Sequence, residues 1–279
     1  MTKTHDIHPS HRMRPILLAA VTLFATTAAW ADPPDVQTLV RGMQQALEPP
    51  RPSLRKITLT VAQGGTTNQV TLGQARGKAD GGNRILTVVL APADLRGTAY
   101  LVQEQPESDA DRLWVFLPAI GRVREVVGPE GFSAFLNSDF TYADLGFTAL
   151  RFHYESKGET TANGVKAYRL EAVPKQNWYY AKVVSLIAAD TLMPIERDFF
   201  DPANQPWKVE RFEKLTTING VPTPLTIAMD DTQAKSKSTL DVTSLQYDTQ
   251  IPAALLQPQG LPQAVSSPLW ASLTAPVGK

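Results

Sequence analysis

From Ser53 onward the chain is built from short runs in which apolar and polar residues alternate. "SLRKITLTVAQ" alternates, breaks at "GGTTN" and resumes as "QVTLGQARG"; "NRILTVVLAP", "GTAYLVQEQ", "RLWVFLP" and "RVREVVGP" follow, separated by Gly, Pro, Asp and Ser. After residue 147 the same rhythm returns in "ALRFHYESKGE", "KAYRLEAVP", "WYYAKVVSLIAA", "MPIERDFFD", "WKVERFEKLTTI", "PLTIAMDD" and "TLDVTSLQYD". A period of two, bounded by turn residues such as "TANG", "DPANQ" and "NGVPT", predicts one β-strand per run. Ahead of them, "DVQTLVRGMQQALEPP" places Val36, Leu39, Val40, Met43 and Leu47 at helical spacing. Asp35 is suited to cap that helix and Pro49 and Pro50 to end it.

Roughly ten or more antiparallel strands in one sheet are too many to stay flat. The expected fold is therefore mainly β with α: a single curled antiparallel sheet covered on its concave side by one or two short helices, with a pocket between helix and sheet. No linker or internal repeat divides the chain, so one domain is expected over residues 32–262. The Pro-, Ser- and Ala-rich tail, 263–279, reads as loosely attached and flexible.

The first residues fall outside that pattern. Lys3, Arg12 and Arg14 precede the apolar run "PILLAAVTLFATTAAWA", which closes on the small-x-small triplet Ala29-Trp30-Ala31. This predicts a signal peptide, residues 1–31, cleaved before Asp32, and a periplasmic location. The sequence holds no cysteine, so disulfides and lipid attachment to an N-terminal cysteine are excluded. The formal net charge is zero, which leaves no basic excess for nucleic acid.

Catalytic devices are thin. Beyond the leader the one histidine is His153, and no G-x-S-x-G accompanies it. Among carboxylate pairs, Glu196 and Asp198 share a strand face and fit a solvated surface. Asp144, three residues after Thr141, forms a capping-box pattern, and Asp139 just ahead of it is placed to accept backbone N–H groups. Structural capping by Asp139, Thr141 and Asp144 is the expected role. No enzyme activity, metal or cofactor is expected.

One segment is neither strand nor ordinary loop. "FSAFLNSDFTYADLGF", Phe132–Phe147, carries four phenylalanines, a tyrosine and two leucines behind Gly128 and Gly131. It is too long for a hairpin turn and too aromatic for a free loop. It is expected to lie on the concave face as a cover.

"RLWVFLPAIGRVREV" followed by "GFSAFLNSDFTYADL" resembles the central signature of the outer-membrane lipoprotein-sorting-like proteins, the LolA-like relatives of the periplasmic lipoprotein carrier. "NRILTVVLAPADLRGTAYLV" before it, and "NGVKAYRLEAVP", "YYAKVVSLIA", "PIERDFFD" and "IPAALL" after it, fall in the family's order, so the similarity spans about Asp35 to Leu261. Leu136-Asn137 stands where many relatives have Met-Gly. The resemblance implies a half-barrel that shelters acyl chains of a lipid or lipoprotein without enzymatic activity or cofactor. It further implies traffic between membranes, with an inner-membrane transporter of the resistance-nodulation-division type and an outer-membrane acceptor as partners. A plugged half-barrel acting as a non-transporting sensor or adaptor of a membrane partner is the alternative, and a carboxylate-dependent polysaccharide enzyme a third.

A sixteen-carbon chain out of the bilayer needs roughly a dozen kcal/mol of apolar shelter. Phe132, Phe135, Phe140 and Tyr142 are the expected lid or wall, hinged at Gly128 and Gly131. Val88, Leu90, Leu101, Trp114, Phe116, Tyr180 and Val184 are the expected cavity floor.

Overall fold

A computed structural model describes residues 1–2, 34–105, 111–146, 152–176 and 178–277. The expected leader beyond Thr2, and Phe147, lie outside the described residues. Asp35 caps the first helix, α1 (Val36–Leu47), with its Oδ1 accepting from the Thr38 N–H at 3.0 Å. Leu39, Val40 and Met43 are its buried stripe.

Thirteen strands follow. β1 (Ser53–Gln63), β2 (Thr66–Ala79), β3 (Gly82–Ala91), β4 (Ala99–Gln103), β5 (Arg112–Leu117) and β6 (Arg122–Val126) form one meander. β7 (Phe152–Ala162), β8 (Val165–Pro174), β9 (Lys182–Ala188), β10 (Pro194–Phe200), β11 (Pro206–Ile218), β12 (Val221–Asp231) and β13 (Ser236–Tyr247) form a second. Two-residue turns close several hairpins, as at Asp80-Gly81, Asn163-Gly164 and Asn219-Gly220, where both residues of each pair have positive φ. That is the geometry hairpins prefer, and Asn, Asp and Gly tolerate it best.

The meanders join through β1 and β13, so the first and last strands meet mid-sheet: the order is β6-β5-β4-β3-β2-β1-β13-β12-β11-β10-β9-β8-β7. The free edges are β6 and β7, which are consecutive in sequence. The chain joining them, which contains the aromatic segment, must therefore pass from one edge of the sheet to the other. The sheet is a single antiparallel half-barrel, not closed.

Both faces carry a core. On the inner face Ile57, Leu59, Leu72, Val89, Val115 and Val183 pack with Phe135 and Phe140. α1 lies on the same face farther along, where Val40 and Met43 meet Leu170 and Ile187. On the outer face Leu54, Leu86, Leu101 and Phe116 pack with Leu256, Leu261, Ala264 and Leu273. The C-terminal tail is thus not loose, as its composition suggested. It includes the helical turn α2 (Leu261–Ala264) and a 3-10 turn at Pro268–Ser272, and it covers the outer face. Trp270 donates from Nε1 to the Ala264 carbonyl at 2.6 Å, and its ring lies so close over Gly73 that a Cβ there would come within 2.5 Å of it. The compact unit runs over Pro33–Lys279, without a boundary at 262.

Candidate functional site

The aromatic segment is a strap across the inner face. It leaves β6 through Gly128, whose φ is +57°, and makes short 3-10 turns at Gly128–Phe132, Phe135–Asn137 and Ala143–Leu145. Between the first two turns and the third it folds back on itself. The Phe135 N–H donates to the Phe140 carbonyl at 2.7 Å, and the Tyr142 N–H to the Ser133 carbonyl at 3.2 Å. At the tip Leu136 and Asn137 both sit in the left-handed region, φ +50° and +57°. For leucine that conformation costs roughly 1–2 kcal/mol. It aims Phe135 and Phe140 into the core, where 1% and 3% of their surface remains exposed.

Polar bonds hold the tip. The Ser236 and Ser238 hydroxyls of β13 donate to the Asp139 carboxylate, the latter at 2.6 Å. The Asp139 N–H donates to Ser238 Oγ at 2.9 Å, and buried Lys208 of β11 donates to the Asp139 carbonyl at 2.6 Å. Asp139 was expected to serve neighbouring backbone N–H groups; it instead ties the strap to the middle of the sheet. The Thr141–Asp144 capping box is present: Asp144 Oδ2 accepts from the Thr141 N–H at 2.7 Å, and Thr141 Oγ1 accepts from the Asp144 N–H at 3.2 Å. Asp144 also accepts from the Tyr180 hydroxyl at 3.1 Å, and burial with that carboxylate pushes the phenol well above its ordinary pKa.

Aromatic contacts run along the strap. Phe135 meets Tyr100 edge-on at 5.0 Å, and Phe132 stacks on Tyr179 at 5.2 Å with its edge to Trp178 at 5.0 Å. Tyr180 packs on Phe199 at 4.6 Å, and Tyr179 on Trp207 at 4.7 Å. Among the described residues these rings cover much of the inner face. A cavity of about 60 Å³ is left under α1, lined by Met43, Leu47, Tyr154, Tyr180 and Phe199 with Glu48, Arg197 and Glu210. That is far below the ~300–1,000 Å³ of an open ligand pocket. Arg197 donates to Glu210 at 2.6 Å; burial raises the Glu210 pKa while the guanidinium opposes it. Glu48, at the C-terminal end of α1, is pushed up to about 8 by burial.

The residues expected to line one cavity divide between the faces. Phe135, Phe140, Tyr142 and Tyr180 belong to the inner core, with Phe132 at its rim on Trp178 and Tyr179. Val88, Leu90, Leu101, Trp114 and Phe116 belong to the outer core beneath the C-terminal cover. Val184 is buried but points away from the inner residues Val183 and Ser185. In β3, β4, β5 and β9 the inner positions are one residue away: Val89, Tyr100, Val102, Leu113, Val115 and Val183. The set was self-consistent, since Leu101 pairs with Trp114 and Val88 with Ala99, but one residue of slip moves every side chain to the other face. Trp178, Tyr179 and Trp207 were not foreseen; the consecutive rings of "WYY" were the available signal. His153 is exposed on edge strand β7. Glu196 and Asp198 lie off the inner face, Glu196 accepting from Arg211 at 3.0 Å.

Residues 81–263 match the model of a family described as an uncharacterized protein. A DUF1329 family protein from Desulfovibrio piger is 25% identical, with a TM-score of 0.73 over 79% of this chain and 95% of its own. The chain belongs to the DUF1329 family. This family shares its half-barrel with a domain designated outer-membrane lipoprotein-sorting from Vibrio parahaemolyticus, 21% identical, TM-score 0.75, covering 82% of this chain and all of that one. A LolA superfamily protein from Nitrosomonas europaea is 17% identical, TM-score 0.65, over 79% of this chain and 96% of that one. At those identities the likeness of the last two is one of fold. A search among curated proteins finds no match.

Proposed function

We propose that this DUF1329-family chain is a periplasmic, non-enzymatic carrier that shelters the acyl chains of a lipid or lipoprotein against its inner face. The observation that carries the reading is the strap. It joins the two free edges, fills the inner face with its own rings, and is tied to the sheet mainly through one residue, Asp139. Displacing it would uncover Ile57, Leu59, Leu72, Val89 and Tyr100, an apolar floor suited to hydrocarbon. Gly128 and Gly131 supply the hinge, since a Cβ at either would meet nothing within 4 Å. Delivery and receipt would then fall to membrane proteins, an inner-membrane transporter of the resistance-nodulation-division type and an outer-membrane acceptor.

The small residual cavity favours a second reading, a sensor or adaptor whose strap is a permanent plug. Native mass spectrometry of protein purified without detergent, followed by lipid extraction, separates the two. A stoichiometric acylated species is expected, lost in a Phe135→Asp/Phe140→Asp variant that keeps its circular dichroism. Protein that stays empty when offered phospholipid and acyl-peptide would leave the adaptor.

A further inference from the structure

Beyond the strap, the inner face holds two neighbouring guanidinium groups, one buried and one half-buried, with neutral groups as their hydrogen-bond acceptors. Arg55 of β1 and Arg76 of β2 are diagonal neighbours: Arg55 pairs with Gln74, and Arg76 with Ser53. Both therefore lie on the face that carries Ile57 and Leu72. Arg55 is 8% exposed, and its Nε is buried with no hydrogen-bond partner among the described residues. Its guanidinium is hydrogen-bonded to the Tyr247 hydroxyl, which leaves Nε without a partner. Ser53, 1% exposed, likewise has a hydroxyl with no partner. Arg76 donates to Gln74 Oε1 at 3.0 Å and to the Leu47 carbonyl at 3.1 Å, both neutral acceptors. The carboxylate whose charge acts most on Arg76 is Glu48, and burial pushes that carboxyl up to about 8, which weakens it as a counter-ion. Buried charges are ordinarily paired, and an orphaned buried donor calls for an absent partner.

The surroundings specify that partner. Arg76 opens onto a cleft of about 310 Å³, within the size range of ligand sites, whose charged lining is Lys78, Arg84, Glu48 and the Arg51–Asp248 pair beside the apolar Ile85, Ile251 and Leu256. In the other direction, past the hydrogen-bonded pair Gln74 and Thr87, the inner residues along the strands are Ile57, Leu72 and Val89, each buried and apolar. Cationic donors thus lie at the end of a hydrocarbon floor. We infer that Arg55, Arg76 and Ser53 form a subsite for the phosphate or carboxylate headgroup of an amphiphile whose chain lies along the inner face. The inference rests on the carrier reading above and adds a charge requirement to the cargo. Two guanidinium groups match a phosphoryl or carboxyl group in shape as well as charge.

Binding of hexadecyl phosphate, hexadecanol and inorganic phosphate to the purified full chain tests it. Hexadecyl phosphate is expected to bind roughly 10- to 100-fold more tightly than hexadecanol, the worth of one to two charge-assisted contacts. In Arg55→Gln/Arg76→Gln that preference is lost while the hexadecanol affinity stays unchanged. Equal affinities in the wild type overturn the subsite and leave the carrier reading intact. Inorganic phosphate that protects as well as hexadecyl phosphate upholds an anion site but overturns the carrier. No binding by any probe overturns both. Ligand-free Arg55→Met gives a readout independent of the double variant. Its Tm should rise by roughly 2–4 °C, because an uncompensated buried charge is removed. A fall in Tm would make Arg55 a structural residue and overturn the inference.

Discussion

The sheet has two covers, and they are built differently. The outer one is aliphatic and packed into the strands: Leu256, Leu261 and Ala264 are all but inaccessible, and the Trp270 ring occupies the space a side chain at Gly73 would need. Among the described residues no ion pair ties that cover to the sheet. The inner one is aromatic, passes through two left-handed residues at its tip, and is tied down through Asp139, Asp144 and their hydroxyl partners. Hydrophobic packing without strain makes a permanent layer. Aromatic packing with a strained turn and a few polar anchors makes one that can be lifted at moderate cost.

If so, a defect in the outer cover unfolds the protein, whereas a defect in the inner anchor frees only the strap. Leu261→Ala should cost about 2–5 kcal/mol, read as a parallel fall in the thermal and urea midpoints by every probe. Asp139→Asn removes a charged acceptor of two serine hydroxyls and should cost about 1.5–3 kcal/mol. Hydrogen exchange would show that cost as faster exchange confined to residues 133–145, with the sheet still protected. Uniform acceleration across the sheet would mean the strap and sheet open together, and the distinction between the covers would fail.

The same contrast marks what the sequence discloses. Alternating runs, Asn-Gly turns and the Thr141-x-x-Asp144 pattern are local, and each led to the element found. The strap was legible as a cover because its rings had no other use. The outer cover was not, because Leu261, Leu269, Trp270 and Leu273 are scattered among Pro, Ser and Ala. A signal was nonetheless present: "RILTVVL" and "LWVFL" are apolar on both faces, and a strand apolar on both faces needs both covered. The same doubling hid strand parity, which is why Val88, Leu101, Trp114 and Val184 were set one position from the inner face. The anchors of Asp139 lie 97 and 99 residues away, beyond any local pattern.

Ionisable groups offer a smaller test, because they sit beside the inner cover. The Glu48 carboxyl is raised from 4.5 to about 8 in the folded protein, with burial the main cause. Between those values the folded state keeps a proton that the unfolded chain has released. The contribution is therefore full below about pH 4.5 and is lost as pH rises through 8. Because Glu48 is partly exposed, the effect should be on the order of 1 kcal/mol. Tm measured from pH 5 to 9 should decline more steeply in the wild type than in Glu48→Gln. Parallel profiles would show that the carboxyl titrates as it does in the unfolded chain.

The smallest expected effect bears on the hinge. A Cβ at Gly128 or at Gly131 would meet nothing within 4 Å, but only Gly128 has a positive φ, at +57°. Gly128→Ala forces a Cβ into the left-handed region and should cost about 1 kcal/mol, whereas Gly131→Ala should change stability by no more than about 0.5 kcal/mol in either direction. If the strap swings about Gly128, the first substitution should also alter the rate at which acyl ligand enters, measured by stopped-flow fluorescence, and the second should not. Equal effects of the two on entry would place the hinge elsewhere in the strap. The left-handed pair Leu136-Asn137 would then be the next place to look, with the tip uncurling rather than the whole strap swinging.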